Sequence, residues 1–330
     1  MKLDRRAALI AGLTLPLAAG AQTAPPGVSD KPAPAGLAEP VETIDLWPKD
    51  APGRPATLPV EKIDQRSSDP LVADRSVSGI ATPRLVAFRP RIANGASVLV
   101  MPGGGYSRIV IDHEGYDLAR WLVARGFTAY VLFYRLPGEG WAAGPDVALA
   151  DAQRAVRLIK TRAIRDGLDP GRVAAIGFSA GGHLCADLAT RFAARTYDPV
   201  DPSDKLIARP TVAAPIYPVI SMTLPVAHGG SREKLIGKHA SATLEAAHSP
   251  DRNVTKETPP CFLVHAEDDG VVPVENSLLF RAALRAAGVP VETHLFTHGG
   301  HGFGIRKAAG KPAELWPELF LNWARTQGFA

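Results

Sequence analysis

Three residue types that together activate a hydroxyl group occur in the second half of the chain: a serine between glycines, a carboxylate and a histidine. Ser179 lies in Gly177-Phe-Ser-Ala-Gly181, which fits the pattern Gly-x-Ser-x-Gly. A serine is a poor nucleophile until a base accepts its proton, and the base needs a partner that fixes its tautomer. The sequence therefore predicts nucleophilic catalysis at Ser179, with base and acid supplied by later segments.

Two neighbouring aspartates compete for the role of the acid. Asp269 begins Asp269-Gly-Val-Val-Pro273, a spacing Asp-x-x-Val-Pro that is typical of an acid loop. We therefore favour Asp269, and we expect Asp268 to cap the following turn through its side-chain oxygen.

Two histidines near the end of the chain compete for the role of the base. His301 lies in Gly300-His-Gly-Phe303, where the glycines allow close approach of the backbone, and we favour it over His298. The pair at i, i+3 also fits a metal site, but no further ligand is brought round to the loop, so no metal is predicted. His183 and His265 are interpreted as structural histidines of the core.

A run of three glycines, Pro102-Gly-Gly-Gly-Tyr106, follows the strongest strand pattern in the chain. It lacks the Lys-Ser/Thr of a P-loop and the spacing of a dinucleotide fingerprint. Glycine amides without side chains suit an oxyanion hole, in which Gly104 and Gly105 would act with the amide of Ala180. One such donor is worth roughly 3–4 kcal/mol of transition-state stabilisation.

Apolar runs alternate with segments of helical spacing, and the loops above follow the apolar runs. This alternation predicts an α/β fold with a mostly parallel central sheet and helices on both faces, and reactive loops beyond the carboxyl ends of the strands. Segments 48–70 and 218–258 are expected to be irregular, the latter as an insertion over the site. Strands are predicted at 42–47, 85–88, 96–101, 127–136, 173–176, 211–216, 262–265 and 291–296, and helices at 114–125, 145–166, 180–190, 274–287 and 312–326.

Composition limits the class of protein. The chain has 330 residues, a net charge of +4, 46% hydrophobic and 21% charged residues. These values predict one large domain at 41–330. No Lys/Arg stripe with interleaved aromatic residues occurs, so no nucleic-acid partner is predicted.

Cys185 and Cys261 form no disulfide framework. They are interpreted as buried thiols, although an exported protein could pair them if the fold brings them close.

The first residues resemble an export signal. Residues 1–21 combine a basic start, an apolar stretch at 7–19 and a small-residue cleavage site. The adjacent Arg5 and Arg6 partially match a twin-arginine signal. The apolar stretch is shorter than the roughly 20 residues of a membrane span, so no stable membrane anchor is predicted. We expect a Pro/Ala-rich linker at 22–40 and a periplasmic or secreted protein, with twin-arginine export as one route.

Because of these motifs, residues 80–305 resemble the α/β-hydrolase superfamily, in which catalytic residues follow the chain order Ser, Asp, His. More narrowly, the chain is similar to acetyl-esterase and acetylxylan-esterase-like hydrolases. Pro102 replaces the histidine of the His-Gly-Gly-Gly loop of hormone-sensitive-lipase-like esterases. The narrower resemblance rests on Met101-Pro-Gly-Gly-Gly-Tyr106, Glu114-Gly115, Phe133-Tyr-Arg-Leu-Pro137, Asp151-Ala-Gln-Arg-Ala155, Gly177-Phe-Ser-Ala-Gly-Gly-His183, Pro259-Pro260, His265-Ala266-x-Asp268-Asp269 and Gly299-Gly-His-Gly-Phe303.

The resemblance implies a serine esterase without a cofactor, whose substrate is a small-molecule or oligosaccharide ester. Short acyl groups on carbohydrate, such as acetyl on xylo-oligosaccharides, are the first expectation. Two alternatives share the fold: a general carboxylesterase, and an exopeptidase of the prolyl-oligopeptidase kind. The segment between the linker and Ile80 is too short for the propeller of such peptidases. A non-catalytic binding module is the remaining alternative. The roles of Tyr106, Glu114 and Arg135 and the oligomeric state stay open.

Overall fold

An eight-stranded sheet forms the centre of the protein, which a computed structural model describes over residues 38–330. The predicted export signal at 1–21 and nearly all of the predicted linker at 22–40 lie outside the described residues. In chain order the strands are β1 (Glu42–Asp45), β2 (Lys62–Gln65), β3 (Arg75–Ser78), β4 (Arg84–Phe88), β5 (Ser97–Met101), β6 (Ile109–Val110), β7 (Thr128–Phe133), β8 (Val173–Phe178), β9 (Val212–Ile216), β10 (Cys261–Ala266) and β11 (Val291–Phe296).

The central sheet is mostly parallel, as predicted. Its spatial order is β1-β4-β7-β5-β8-β9-β10-β11, in which β4 pairs antiparallel with β1 and β7 and all other pairs are parallel. In the pair of β5 and β8, Met101 lies opposite Gly177. The loops that follow these two strands therefore leave the same edge of the sheet, side by side.

Seven α-helices connect or flank the strands of the described chain. The chain steps from β5 to β7 in one direction and from β7 to β8 and β9 in the other, so right-handed crossovers place helices on both faces of the sheet. The helices are α1 (Asp117–Val123), α2 (Val147–Ala163), α3 (Ala180–Arg191), α4 (Gly229–Ile236), α5 (Ala242–Ala247), α6 (Glu275–Ala286) and α7 (Trp316–Thr326). The α/β-hydrolase fold predicted from the sequence is confirmed.

Two segments predicted to be irregular contain regular structure. Strand β2 lies within 48–70 and pairs with β3, which in turn pairs with β6 in a small antiparallel sheet. All four residues of β2 are exposed, so the strand has no apolar alternation to reveal it. Helices α4 and α5 lie within 218–258. Helix α4 begins with two glycines, which are poor helix formers, and is capped instead by the side chain of His228.

The core contains both cysteines. Cys185 and Cys261 are buried free thiols, as predicted. Among residues 38–330, no helix is long and apolar enough to span a membrane.

Candidate active site

The chain reverses sharply at Ser179, between the end of β8 and the start of α3. Ser179 has φ 53° and ψ −117°, a conformation that residues with a side chain rarely adopt. Glycine is required on both sides of it. A Cβ atom on Gly177 would lie 2.0 Å from the carbonyl oxygen of Gly181, and one on Gly181 would lie 2.2 Å from that of Met101. The predicted strand–serine–helix turn is therefore present, and its crowding is the one expected.

Three predicted residues are joined by hydrogen bonds. Nε2 of His301 lies 2.9 Å from Oγ of Ser179, and Nδ1 of His301 lies 2.7 Å from Oδ2 of Asp269. A carboxylate can only accept, so Nδ1 carries the ring proton and Nε2 is left to accept the proton of the serine hydroxyl. Loops after β8, β10 and β11 supply the three side chains.

The carboxylate of Asp269 is fully buried and surrounded by donors. Its Oδ1 accepts from the amides of Val271 and Val272, at 2.9 Å each, and its Oδ2 contacts His301 and, at 3.2 Å, His265. Burial raises the pKa of Asp269, but the contacts with the two histidines outweigh burial and hold the pKa well below its ordinary value. Asp269 is therefore ionised at neutral pH.

The role predicted for Asp268 is wrong. The turn that follows is capped by Oδ1 of Asp269, whereas Oδ1 of Asp268 accepts from the amides of Gly299 and Gly300, at 2.9 and 2.8 Å. Asp268 thus braces the loop that carries the histidine. His298, the competing base, lies 3.6 Å from Asp268 with three quarters of its side chain exposed, outside the hydrogen-bonded set.

His265 is structural, as predicted, but it also contacts the acid. Its Nδ1 accepts from the hydroxyl of Ser277 at 2.8 Å, and its Nε2 donates to the carbonyl of Val272 at 3.0 Å while facing Asp269. The sequence indicated a buried histidine at the end of a strand but not this contact.

In the triple-glycine loop, one backbone amide binds a side chain of the framework, and the other two belong to residues that line the cavity. The amide of Gly103 donates to Oε2 of Glu114 at 2.9 Å. Gly104 and Gly105, with φ 135° and 65°, line the same cavity as the serine, and their amides meet no acceptor among residues 38–330. Ala180 begins α3, so its amide has no partner within the helix. The three predicted oxyanion donors are therefore uncommitted.

Glu114 connects the glycine loop to the histidine loop. Its Oε2 accepts from Gly103, and its Oε1 accepts from the hydroxyl of Tyr217 at 2.9 Å. The Tyr217 oxygen in turn accepts from the amide of Gly304 at 3.0 Å. The role of Glu114, which the sequence left open, is therefore to hold these two loops together. Tyr217 was not predicted from the sequence, because it lies in no motif.

Tyr106 and Arg135 also serve the framework. The hydroxyl of Tyr106 donates to Nδ1 of His183 at 2.7 Å, and Nε2 of His183 donates to the carbonyl of His248 at 2.8 Å. Burial lowers the pKa of His183 to about 4, so its ring is neutral at pH 7, and its structural role is confirmed. Arg135 pairs with Asp151, both side chains fully buried.

A cavity of about 400 Å³ opens over Ser179 and His301. No aromatic side chain other than histidine lines it within the described chain. No group of three side chains suited to a metal ion occurs between residues 38 and 330. The lining residues are Arg66, Gly104, Gly105, Ser107, Arg108, Val110, His113, Glu114, Ser179, His228, Gly230, Lys234, Val271, His301, Gly302 and Lys307.

The sequence that forms this architecture matches the model of a known protein family. The model of the BD-FAE family matches residues 92–284, more than half of the chain. The chain belongs to the BD-FAE family. The match covers the glycine loop, the serine turn and the acid loop, and it ends before the histidine loop.

Relatives of this BD-FAE protein are named as esterases and xylanases. It is 32% identical to the acetylxylan esterase of Xylanibacter ruminicola over 67% of this chain and 44% of the relative. It is 36% identical to the endo-1,4-beta-xylanase B of Butyrivibrio fibrisolvens over 69% of this chain and 34% of the relative. The match thus spans less than half the length of these two relatives.

A solved structure matches over almost its whole length. The acetyl ester-xyloside bifunctional hydrolase of Caldicellulosiruptor lactoaceticus is 34% identical, with a TM-score of 0.72, over 89% of this chain and 99% of that one. These findings confirm the predicted resemblance to acetylxylan-esterase-like α/β-hydrolases. Two of these three proteins are named for ester hydrolysis, the acetylxylan esterase and the acetyl ester-xyloside hydrolase, which supports the predicted class of carboxylic ester hydrolase.

Proposed function

We propose that this protein is a serine esterase that hydrolyses short-chain acyl esters through an acyl-enzyme on Ser179. The observation that carries the proposal is the hydrogen-bonded series from Ser179 through His301 to Asp269, set at a strained turn beneath an open cavity. Such a series removes the serine proton as the oxygen attacks, which is what ester cleavage requires.

The proposed first half-reaction forms the acyl-enzyme. Oγ of Ser179 attacks the carbonyl carbon of the ester while its proton passes to Nε2 of His301. The carbonyl oxygen becomes an oxyanion, and the free amides of Gly104, Gly105 and Ala180 are the donors proposed to bind it. When the tetrahedral intermediate collapses, the bond to the alcohol oxygen breaks and the alcohol leaves with the proton from His301.

In the second half-reaction water takes the place of the alcohol. His301 removes a proton from the water as the water oxygen attacks the acyl carbon. When this second tetrahedral intermediate collapses, the bond from the acyl carbon to Oγ of Ser179 breaks, Oγ takes the proton from His301, and the carboxylic acid leaves. Asp269 stays ionised throughout, because its four contacts stabilise the carboxylate. The carboxylate keeps Nδ1 of His301 protonated and offsets the positive charge that the ring gains in each half-reaction.

We propose acetyl groups on xylo-oligosaccharides as the substrate. The names of two relatives, an acetylxylan esterase and an acetyl ester-xyloside hydrolase, support this choice. The cavity is also compatible with a short acyl group, since only Val110 and Val271 give it apolar side chains among the described residues.

The test is release of acetate from acetylated xylo-oligosaccharides and from an aryl acetate, with the wild type beside Ser179→Ala. Fast release from both, lost by a factor of about 10⁴ or more in the variant, supports the proposal. Release from the aryl ester alone keeps the mechanism and discards the sugar substrate. Faster release of amino acids from dipeptide amides than of acetate from esters contradicts the proposal in favour of an exopeptidase.

We also propose that the protein is exported to the periplasm or beyond, on the basis of the first 21 residues. Mass spectrometry of the protein from a periplasmic fraction tests this. A mature chain that begins at or near Gln22 supports export, and a full-length chain confined to the cytoplasm contradicts it.

A further inference from the structure

Four cationic side chains surround the cavity over Ser179, and they come from four separate segments of the chain. Two lie on the small antiparallel sheet or its connections, one on α4 and one beyond the histidine loop. They are Arg66, Arg108, Lys234 and Lys307. Each of these four segments contributes one basic group to the lining, so the formal charges of the lining, apart from that of Glu114, are positive.

Few carboxylates lie close to these four cations. Arg66 reaches Asp74 only at 3.6 Å, and none of the other three takes part in an ion pair within residues 38–330. The one carboxylate that lines the cavity in this part of the chain is Glu114, and both of its oxygens are engaged, by Gly103 and Tyr217. The charges of Arg108, Lys234 and Lys307 are therefore not paired with a carboxylate among residues 38–330, whereas Arg66 is paired with Asp74.

Two arginines that are buried in the framework have carboxylate partners. Arg135 is buried against Asp151, and Arg154 is buried against Asp201 and Asp204. The cavity cations Arg108, Lys234 and Lys307 lack such partners among residues 38–330, so their charge is available to a ligand.

A histidine adds a neutral donor to the same wall. Nδ1 of His228 accepts from the amide of Ser231 and faces its hydroxyl, at 3.2 and 2.8 Å, so the ring proton lies on Nε2. The ring lines the cavity, and its Nε2 has no acceptor among residues 38–330. The wall therefore offers cations and a free N–H donor, a combination that suits an anionic oxygen group.

We propose that, among the short-chain acyl esters proposed above, this site prefers those that also carry a carboxylate, which the rim of Arg66, Arg108, Lys234 and Lys307 attracts and orients. The proposal rests on the esterase function proposed above. A cleft lined by one sign of charge concentrates ligands of the opposite sign and raises their rate of encounter. The carboxylate lies either on the alcohol part or on the acyl part of the ester, and both present the same group to the rim.

The experiment compares pairs of esters in which one member carries a carboxylate and the other is neutral. For the alcohol part, the pair is an acetylated uronic acid and its neutral uronamide. For the acyl part, the pair is an aryl monoester of succinate and the matching aryl methyl succinate. We expect kcat/KM to be about tenfold higher for the charged member of one pair, and this preference to shrink as salt is added.

Charge-removing variants connect the preference to the rim. Lys234→Gln combined with Lys307→Gln is expected to lower kcat/KM about tenfold for the preferred charged ester and less than about twofold for its neutral partner. The matched control is Lys205→Gln, which removes one exposed cation that does not line the cavity. It is expected to change neither value.

Equal kcat/KM for the two members of both pairs, without salt dependence, would overturn the proposal while leaving the esterase function intact. A preference that survives in the double variant would also overturn it, because the rim would not be its cause. Failure of the proposed function is separate: it would show as no hydrolysis of any ester, including the neutral members and a simple aryl acetate.

Discussion

His265 lies 3.2 Å from the carboxylate of Asp269, on the same oxygen that His301 contacts. The proposed acid is thus held by a second histidine, which is buried in β10 and does not line the cavity over Ser179. Its Nε2 donates to the carbonyl of Val272 and faces Asp269, so it restrains the loop and the carboxylate together.

Replacing this second histidine should slow the reaction without weakening substrate binding. We expect His265→Gln to lower kcat about tenfold with little change in KM, because small displacements of a catalytic group are costly. The control is His294→Gln, a partly exposed histidine paired with Glu292 on the neighbouring strand. Steady-state kinetics on an aryl acetate measures both, and equal losses in the two variants would refute the role given to His265.

Substitution of Asp269 should lower kcat far more than substitution of its neighbour Asp268. Asp269→Asn places an amide where Nδ1 of His301 must donate, so the wrong tautomer is favoured and kcat is expected to fall by roughly 10³–10⁴. Asp268→Asn keeps an oxygen that can accept from Gly299 and Gly300, and a loss of less than about tenfold is expected. A larger loss in Asp268→Asn than in Asp269→Asn would reverse the assignment of the acid.

The link through Glu114 predicts a defect in the oxyanion loop. In Glu114→Gln one carboxylate oxygen is replaced by an NH2 group, which donates. The side chain can then no longer accept from both the Gly103 amide and the Tyr217 hydroxyl through separate oxygens. We expect kcat to fall about 10–100-fold, since the misplaced loop no longer stabilises the transition state fully.

Two further measurements test this link. Tyr217→Phe removes the hydroxyl but keeps the contact of Glu114 with Gly103, so a smaller loss is expected. The affinity of an aryl boronic acid, which forms a tetrahedral adduct on a serine, should fall in parallel with kcat/KM in both variants. An unchanged boronate affinity alongside a large loss of kcat would place the defect elsewhere.

His183 should remain neutral far below the usual pH of histidine protonation. Burial lowers its pKa from 6.5 to about 4, so the unfolded chain binds a proton between these values that the folded protein does not. The stabilising contribution is complete above pH 6.5 and falls away as the pH drops towards 4, by roughly 3 kcal/mol in all.

Nuclear magnetic resonance of the imidazole nitrogens measures this directly. We expect a midpoint near pH 4 for His183 and a proton on Nε2, bonded to the carbonyl of His248. Urea unfolding at about pH 7 and about pH 5 should show the part of this loss that falls in that interval, about 2 kcal/mol. A midpoint near 6.5 would mean that the ring is not enclosed as described.

The residues of the candidate site could be predicted from the sequence where local patterns define them. Ser179 lies in a strand–turn–helix pattern, and Asp269 and His301 lie in short motifs after apolar strands, so their meeting follows from the parallel sheet. Strand order places the ends of β8, β10 and β11 at one edge, which the alternation of strands and helices predicts.

The supporting contacts could not be predicted in this way. Tyr217 meets Glu114 across 103 residues of chain, and nothing in the local sequence of either residue marks the pair. Asp268 braces Gly299 and Gly300 rather than its own turn, because the next residue already caps that turn. Strand β2 escaped prediction because its exposed residues have no hydrophobic periodicity.

Covalent labelling with an aryl organophosphonate tests the central claim, that Ser179 is the nucleophile. We expect one phosphonyl group per chain by intact mass, located on Ser179 by peptide mapping, with loss of esterase activity in proportion to labelling. Ser179→Ala should remain unlabelled. Loss of activity with the label on another residue, or full activity with Ser179 labelled, would contradict the account.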